Sequence, residues 1–303
     1  MSTNNMSTII TGDAIARKLA QNLNLDFLPL EERVFPDGEV QPRLEKEIKG
    51  GKVIFLLQKK QGENVNSYLI KYFLLARKIR ESSSSVIGIM PYLPYARQDE
   101  IFRPGEPLSS LYIDELIERN IDIFLTCNMH EHRKKIGQLF KIPAYNIFLF
   151  HNLAEKFTDF SPENTVVVGP DGESQAFVDD FCQKFPAQKL VFHKERNVNT
   201  GEIHFILPPD LRKENYQGKD FIIVDDIVST GKTILGASEI SQQLGAKTIS
   251  FAFIHPIFGD KTIAQLQKVS PRRIVCPNTL ENSFSSVDIS FPLAVFLKDH
   301  KLI

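Results

Sequence analysis

The sequence predicts an α/β fold of two similar domains, each a mostly parallel sheet flanked by helices. Three observations predict it. Short apolar runs recur along the chain, as buried strands do. Longer stretches with apolar residues near helical spacing separate them, and the same alternation restarts after about residue 150. A length of 303 residues also suits two domains of about 150 residues each.

The elements follow in order. Val53–Leu57 reads as a buried strand. Asn66–Ser82 reads as a helix, with Leu69, Ile70, Phe73, Leu74 and Ile79 near helical spacing. Val86–Met90 is a strand, Leu108–Arg119 a helix, Ile123–Thr126 a strand and Glu131–Phe140 a helix. In the second half Thr165–Val168 is a strand, Gly172–Phe185 a helix and Lys189–His193 a strand. Phe221–Val224 is a strand whose run stops at Asp225. Gly231–Leu244 is a helix that Gly245 can close. Thr248–Ile254 and Arg273–Cys276 continue the pattern. The boundary is expected near Phe150–Ser161, giving domains 1–150 and 151–289.

Composition excludes several classes. Hydrophobic residues at 42% and charged residues at 24% describe an ordinary globular chain rather than a disordered or fibrous one. The net charge of −1 gives no general attraction to nucleic acid or to an anionic membrane, so any anion site must be local. Cys127, Cys182 and Cys276 are widely spaced and form no CxxC pair, which predicts small buried apolar residues rather than disulfides or zinc ligands. The opening MSTNNMSTII lacks a basic stretch before an apolar run, so no signal peptide is predicted. No apolar run approaches the roughly 20 residues of a membrane span. A cytoplasmic protein that binds neither membrane nor nucleic acid is expected.

The most informative segment is Phe221-Ile-Ile-Val-Asp-Asp-Ile-Val-Ser-Thr-Gly-Lys-Thr-Ile234. An apolar strand ends in two acids, and a hydroxyl-rich, glycine-containing turn then opens a helix. Such a turn aims unpaired amides and the helix dipole at one point, which suits a phosphate. Thr230 and Thr233 can add hydroxyl donors. Asp225 and Asp226 can accept from sugar hydroxyls or hold a metal. A P-loop fails on spacing, because the first glycine of GxxxxGK[ST] would fall at Asp226.

This run resembles the phosphoribosyl-diphosphate motif of type I phosphoribosyltransferases and of ribose-phosphate pyrophosphokinases. Four further segments separate the two. Phe35-Pro-Asp-Gly-Glu39 is similar to the pyrophosphokinase loop that receives adenine, usually from a neighbouring subunit. Pro91–Asp99 resembles that family's second ATP-binding segment, with Arg97 and Gln98 at matching positions. Met129-His-Glu131 matches the region of the metal-binding histidine. His193-Lys-Glu-Arg196 resembles the start of the mobile catalytic loop. Five segments in order, over essentially the whole chain, resemble the ribose-phosphate pyrophosphokinases.

The resemblance implies two phosphoribosyltransferase-like domains, with the segment from about 290 to 303 returning to the first. It implies transfer of the β,γ-diphosphoryl group of ATP to the 1-hydroxyl of ribose 5-phosphate. The roles it implies are as follows. Phe35, Asp37, Gly38, Glu39, Arg97 and Gln98 bind ATP. Arg196, Asp225, Asp226, Ser229, Thr230, Gly231, Lys232 and Thr233 bind ribose 5-phosphate. Lys194 and Arg196 are catalytic. His130 and Asp171 are associated with Mg2+. A homo-oligomer, at least a dimer, is implied by the shared adenine loop. Lys232 is open between phosphate binding and solvent, and His132 is read as incidental.

Two departures stand out. Ser229 replaces the aspartate of the widespread bacterial and animal members, and Asn128-Met129-His130 replaces their Asp-Leu-His. With Phe102–Pro107, these features are closer to the archaeal-type branch, which differs in phosphate activation and ADP inhibition. A phosphoribosyltransferase does not need the adenine loop, and a non-catalytic regulatory partner does not need the intact Lys194, Arg196, Asp225 and Asp226.

Overall fold

The computed structural model describes residues 8–101, 103–131, 135–196, 203–207, 211–282 and 284–303. The chain divides into two compact units: Met1–Ile147 with Thr279–Glu281 and Asp288–Ile303, and Phe148–Asn278 with Asn282–Val287. Each unit is an α/β layer structure with a mostly parallel sheet.

The first unit runs β1 (Thr8–Gly12), α1 (Ala14–Leu23), β2 (Asp26–Val34), β3 (Val40–Leu44), β4 (Lys52–Leu56), α2 (Val65–Arg80), β5 (Ser85–Ile89), α3 (Ser109–Glu118), β6 (Ile123–Cys127), α4 (Ile136–Leu139) and β7 (Ala144–Ile147). Its seven strands lie in the order β3-β2-β1-β4-β5-β6-β7. Among its described residues only β2 and β3 pair antiparallel. The central β4 is covered on both faces, with Val53, Ile54, Phe55 and Leu56 fully buried, which is why it reads as one apolar run. Each such side chain contributes about 1.5–3 kcal/mol on burial. Asn64 caps α2 by accepting from the Asn66 amide. Its Leu69, Tyr72, Leu75, Ala76 and Ile79 face the core, while Ile70 and Leu74 stay exposed.

Two expectations change here. Of the helix expected over Glu131–Phe140, the described residues show α4, and residues 132–134 lie outside them; the Glu131 carboxylate accepts from the Ile136 amide at the start of α4. The distal half of β2 and all of β3 form a ribbon that no apolar run announces. β2 pairs with β1 only from Asp26 to Pro29. From Leu30 to Val34 its strand partner is β3.

The second unit runs α5 (Phe150–Ala154), β8 (Thr165–Gly169), α6 (Gln175–Lys184), β9 (Gln188–Val191), β10 (His193–Arg196), β11 (Ile203–Ile206), β12 (Asp220–Val228), α7 (Lys232–Gln243), β13 (Thr248–Pro256), α8 (Asp260–Lys268), β14 (Arg273–Pro277) and β15 (Ser285–Val287). Six strands form a parallel sheet in the order β15-β14-β13-β12-β8-β9, and β10 with β11 forms a separate two-stranded hairpin. The strand expected to stop at Asp225 continues to Val228. The neighbouring β13 extends equally far and pairs Asp225 with Phe253 and Ile227 with His255. The strand expected over Lys189–His193 is split between β9 and β10, so Lys194 and Arg196 stand in a strand rather than in a loop. A short 3-10 turn, Gly172–Ser174, precedes α6. Gly245, at φ 86°, follows α7, and its amide donates to the Gln242 carbonyl.

The chain then returns to the first unit as α9 (Ser290–Asp299), burying Leu293 and Leu297 fully. Lys18 pairs with Asp288 at 2.6 Å. Lys52 Nζ donates to the Leu302 carbonyl at 3.0 Å. Among the described residues no helix is long and apolar enough to cross a membrane.

Candidate active site

An open parallel sheet leaves a crevice where strand order reverses, beyond the carboxyl ends of the two strands concerned. In the second unit that point lies between β8 and β12. Asp171 follows β8, and Asp225 through Thr233 end β12 and begin α7. The structure therefore brings Asp171, Asp225, Asp226, Ser229, Thr230, Gly231, Lys232 and Thr233 to the ends of adjacent strands.

The local geometry is set mainly by backbone. Asp225 is 9% exposed and Asp226 5%. Asp225 Oδ1 accepts from the Asp226 amide at 3.0 Å, and Asp226 Oδ1 accepts from the Ile227 amide at 2.7 Å. Each carboxylate is thus oriented by the next peptide. Gly231 caps α7 with φ 75°, ψ −4°, and no side chain bonds the helix start. A Cβ there would come within 2.9 Å of Thr262 Cγ2, so both conformation and space require glycine. Thr262 Oγ1 donates to the Ser229 carbonyl at 3.1 Å. That bond engages the Ser229 carbonyl, and the first amides of α7, without a side-chain cap, have a geometry that receives an anion. Sequence reasoning missed Thr262, which lies on α8 with no motif to mark it. Lys232 is exposed at the first position of α7.

Asp171 Oδ1 accepts from the Ser174 amide at 3.2 Å and from its hydroxyl at 2.8 Å. Gly169 allows this tight turn, since a Cβ there would lie 2.7 Å from Ser174 Cβ. A Cβ on Gly172 would lie 3.9 Å from His193 Nδ1. The start of β10 therefore abuts the Asp171 turn, with Lys194 paired to Phe205 and Arg196 to Ile203 in the hairpin. Residues 197–202, like Phe102 and His132, lie outside the described residues.

In the first unit strand order reverses between β1 and β4, and there the crevice is closed. Asp13 Oδ1 accepts from the Ile15 and Ala16 amides at the start of α1, and Oδ2 accepts from the Gln58 amide beyond β4. Burial raises the Asp13 carboxyl above its ordinary value, against these three hydrogen bonds. Gly12 allows the closure, because a Cβ there would fall 1.8 Å from the Leu56 carbonyl oxygen.

The first unit's candidate residues sit elsewhere. Phe35–Glu39 turns the ribbon: the Gly38 amide donates to the Phe35 carbonyl at 2.9 Å, the Phe35 amide to the Glu39 carbonyl at 2.8 Å, and the Glu39 amide to Asp37 Oδ1 at 3.1 Å. Gly38 takes φ 93°, as the left-handed position of such a hairpin demands. Arg33 lies over the Phe35 ring at 4.5 Å, a cation that sequence reasoning missed. Arg97 and Gln98 are exposed in the loop after β5, where the Gln98 carbonyl accepts from the Ser110 amide of α3. His130 follows β6 on a turn held by Asn146, whose side chain accepts from the Met129 amide at 2.8 Å and donates to its carbonyl at 3.3 Å. Arg97, Gln98 and His130 thus follow neighbouring strands. Phe35–Glu39 joins β2 to β3, and β2 is separated from β5 by three strand spacings in sheet order, or about 14 Å.

Among the described residues no group of three or more His, Cys, Asp or Glu forms a metal cage. The donor chemistry at the β8 end still fits a hard cation. Asp171 supplies carboxylate oxygen, and Mg2+ takes one or two carboxylates while keeping water and phosphate oxygens as its other ligands. The three cysteines form no disulfide and are buried. Burial pushes the Cys127 and Cys276 thiols up to about 12, so neither is a nucleophile.

Comparison with known proteins bears on both units. Residues 7–120 match the model of the N-terminal domain of ribose phosphate pyrophosphokinase, and residues 135–289 match that of the phosphoribosyl transferase domain. A ribose-phosphate pyrophosphokinase of Methanopyrus kandleri is 30% identical over 93% of this chain and 94% of its own. One of Saccharolobus solfataricus is 28% identical over 95% and 99%. The crystal structure of phosphoribosylpyrophosphate synthetase from Mycobacterium smegmatis superposes with a TM-score of 0.79 at 22% identity, covering 98% of this chain and 99% of that one.

Proposed function

The chain belongs to the ribose-phosphate pyrophosphokinase family, and from that premise we propose that it transfers the β,γ-diphosphoryl group of ATP to the 1-hydroxyl of ribose 5-phosphate. The observation that carries this reading is the β12–α7 turn. Two amide-oriented carboxylates precede a left-handed glycine and an uncapped helix start. Asp225 and Asp226 accept from the ribose 2- and 3-hydroxyls. Ser229, Thr230, Gly231, Lys232 and Thr233 receive the 5-phosphate through amides, hydroxyls and one ammonium.

In the reaction the 1-hydroxyl oxygen bonds to the β-phosphorus. The bond from that phosphorus to the α–β bridging oxygen breaks, AMP leaves with the oxygen, and the hydroxyl proton passes to solvent. Lys194 and Arg196 stabilise the charge that grows on the leaving oxygen. Mg2+, when bound, offsets phosphate charge. Asp171 and His130 are the residues assigned to it, Asp171 through its carboxylate or a coordinated water.

Phe35 stacks on adenine with its face away from Arg33, and Asp37, Gly38 and Glu39 frame that purine. Arg97 and Gln98 hold the ATP phosphates. The three strands' separation of Phe35–Glu39 from the Arg97 loop supports its service to a neighbouring copy, hence a homo-oligomer of at least two chains in the cytoplasm. A phosphoribosyltransferase reading is not favoured, because residues 7–120 match the pyrophosphokinase's own N-terminal domain. The test is to incubate the purified protein with ATP, Mg2+ and ribose 5-phosphate and to measure AMP. AMP that depends on ribose 5-phosphate is the expected result, and its absence overturns the reading.

A further inference from the structure

The ribbon that carries Phe35–Glu39 poses a physical problem. Beyond Pro29, β2 no longer pairs with β1, so residues Leu30–Val34 pair only with Val40–Leu44. A two-stranded ribbon is marginal by itself in water, and Val34 at its tip end is 60% exposed. Successive side chains alternate between faces. Glu31 pairs across the ribbon with Arg43, Arg43 Nε lying 3.0 Å from Glu31 Oε2. Glu32 points the other way, to the body of the unit.

There it meets Lys71 of α2, a lysine with its side chain only 3% exposed. Lys71 Nζ lies 3.3 Å from Glu32 Oε2 and 2.5 Å from Glu63 Oε1. Lys60 Nζ lies 2.7 Å from the same Glu32 oxygen. Glu63 is itself fixed, since its Oε2 accepts from the Lys60 amide at 2.9 Å. A buried ammonium needs an anionic partner, and Lys71 has one in the body, Glu63, and one on the ribbon, Glu32. Burial opposes ionisation of Glu32, yet Lys60 and Lys71 together hold its carboxyl below the ordinary range.

We propose that Lys71 is a positioning residue that holds the nucleotide-binding ribbon against α2 through Glu32. This rests on the assignment of Phe35–Glu39 to ATP. Lys71 touches no substrate; it fixes the strand three residues before Phe35.

The test uses Glu32→Gln in the full-length chain, because that variant leaves the Lys71–Glu63 pair in the body and spares the fold. KM for ATP should rise about fivefold, the scale of a partly exposed ion pair. Turnover and KM for ribose 5-phosphate should stay within about twofold on the same scale. Amides of Leu30–Val34 and Val40–Leu44 should exchange faster with deuterium, while those of β1 and β4 keep their protection. Lys71→Met should move the same quantities in the same direction, and Lys71→Arg should restore them. An unchanged KM for ATP in Glu32→Gln, or an equal change in all kinetic constants, overturns the proposal. If the unmodified protein makes no AMP, the functional reading fails instead, and the exchange measurement alone decides whether Lys71 holds the ribbon.

Discussion

The two units place a crevice at the same point of the same kind of sheet and treat it in opposite ways. Between β1 and β4 the first unit fills the crevice with its own Asp13, which ties the start of α1 to the end of β4. Between β8 and β12 the second unit uses short self-contained bonds, each acid accepting from the next amide, and leaves the α7 start without a side-chain cap. A carboxylate at a strand end is therefore no functional signal by itself. What distinguishes the pairs is the destination of their hydrogen bonds. Asp13 satisfies amides of two different elements, whereas Asp225 and Asp226 each accept from the peptide that follows them.

Two substitutions test this contrast, and a third tests the acid response of the first unit. The largest effect is expected from Gly231→Ala. Holding a non-glycine residue at φ 75° costs about 1–2 kcal/mol, and the new methyl meets Thr262. KM for ribose 5-phosphate should rise about tenfold by that cost, with KM for ATP unchanged. Equal behaviour of the two substrates would place the anion site elsewhere.

Asp13→Ala should act on stability alone. Loss of the helix cap costs about 2 kcal/mol at the upper end for such residues, read as a lower denaturation midpoint for the first unit. Ribose 5-phosphate affinity should not move. A loss of affinity without a loss of stability would mean that the closed crevice is a site after all.

The smallest effect concerns acid. Asp122 accepts both Arg80 nitrogens at 2.6 Å and the Val86 amide at 2.7 Å. Burial acts against ionisation, but these bonds hold its carboxyl below the ordinary 3.8. A depressed folded value means that the unfolded chain binds more protons in this window, so stability rises with pH there. The contribution is complete above 3.8 and is lost as pH falls through the folded value. Asp122→Asn should flatten that part of the acid-denaturation curve, and an unaltered curve would remove Asp122 from it.

The buried strands were legible because parallel strands covered on both faces read as continuous apolar runs. Val53–Leu57 differs from β4 by one residue at each end. The ribbon was not legible: Leu30–Val34 carries charged residues toward both sides, and the short alternation of Val40–Leu44 is broken at its centre by Pro42, a poor strand signal. The strand through Asp225 and Asp226 was hidden for a related reason, since its continuation depends on the length of β13. The anion turn was legible in its glycine and hydroxyls. Its support was not, because Thr262 reaches Ser229 from 33 residues away, and the His130 turn was hidden likewise, with Asn146 reaching Met129 from 17. Such partners become visible only when the chain is folded.

The return of α9 to the first unit has a consequence for synthesis. The second unit holds nothing from beyond Val287, whereas the first takes in Asp288–Ile303. The half of the molecule that leaves the ribosome first is therefore completed last. At about 5–20 residues per second, even β7 waits roughly seven to thirty seconds for the helix that covers α1. The later-made half is itself complete only once Val287 is made, just before that helix. Lys18, Asn22 and Lys52, which meet Asp288, Ser290 and Leu302 in the finished chain, are among the last groups to find their partners.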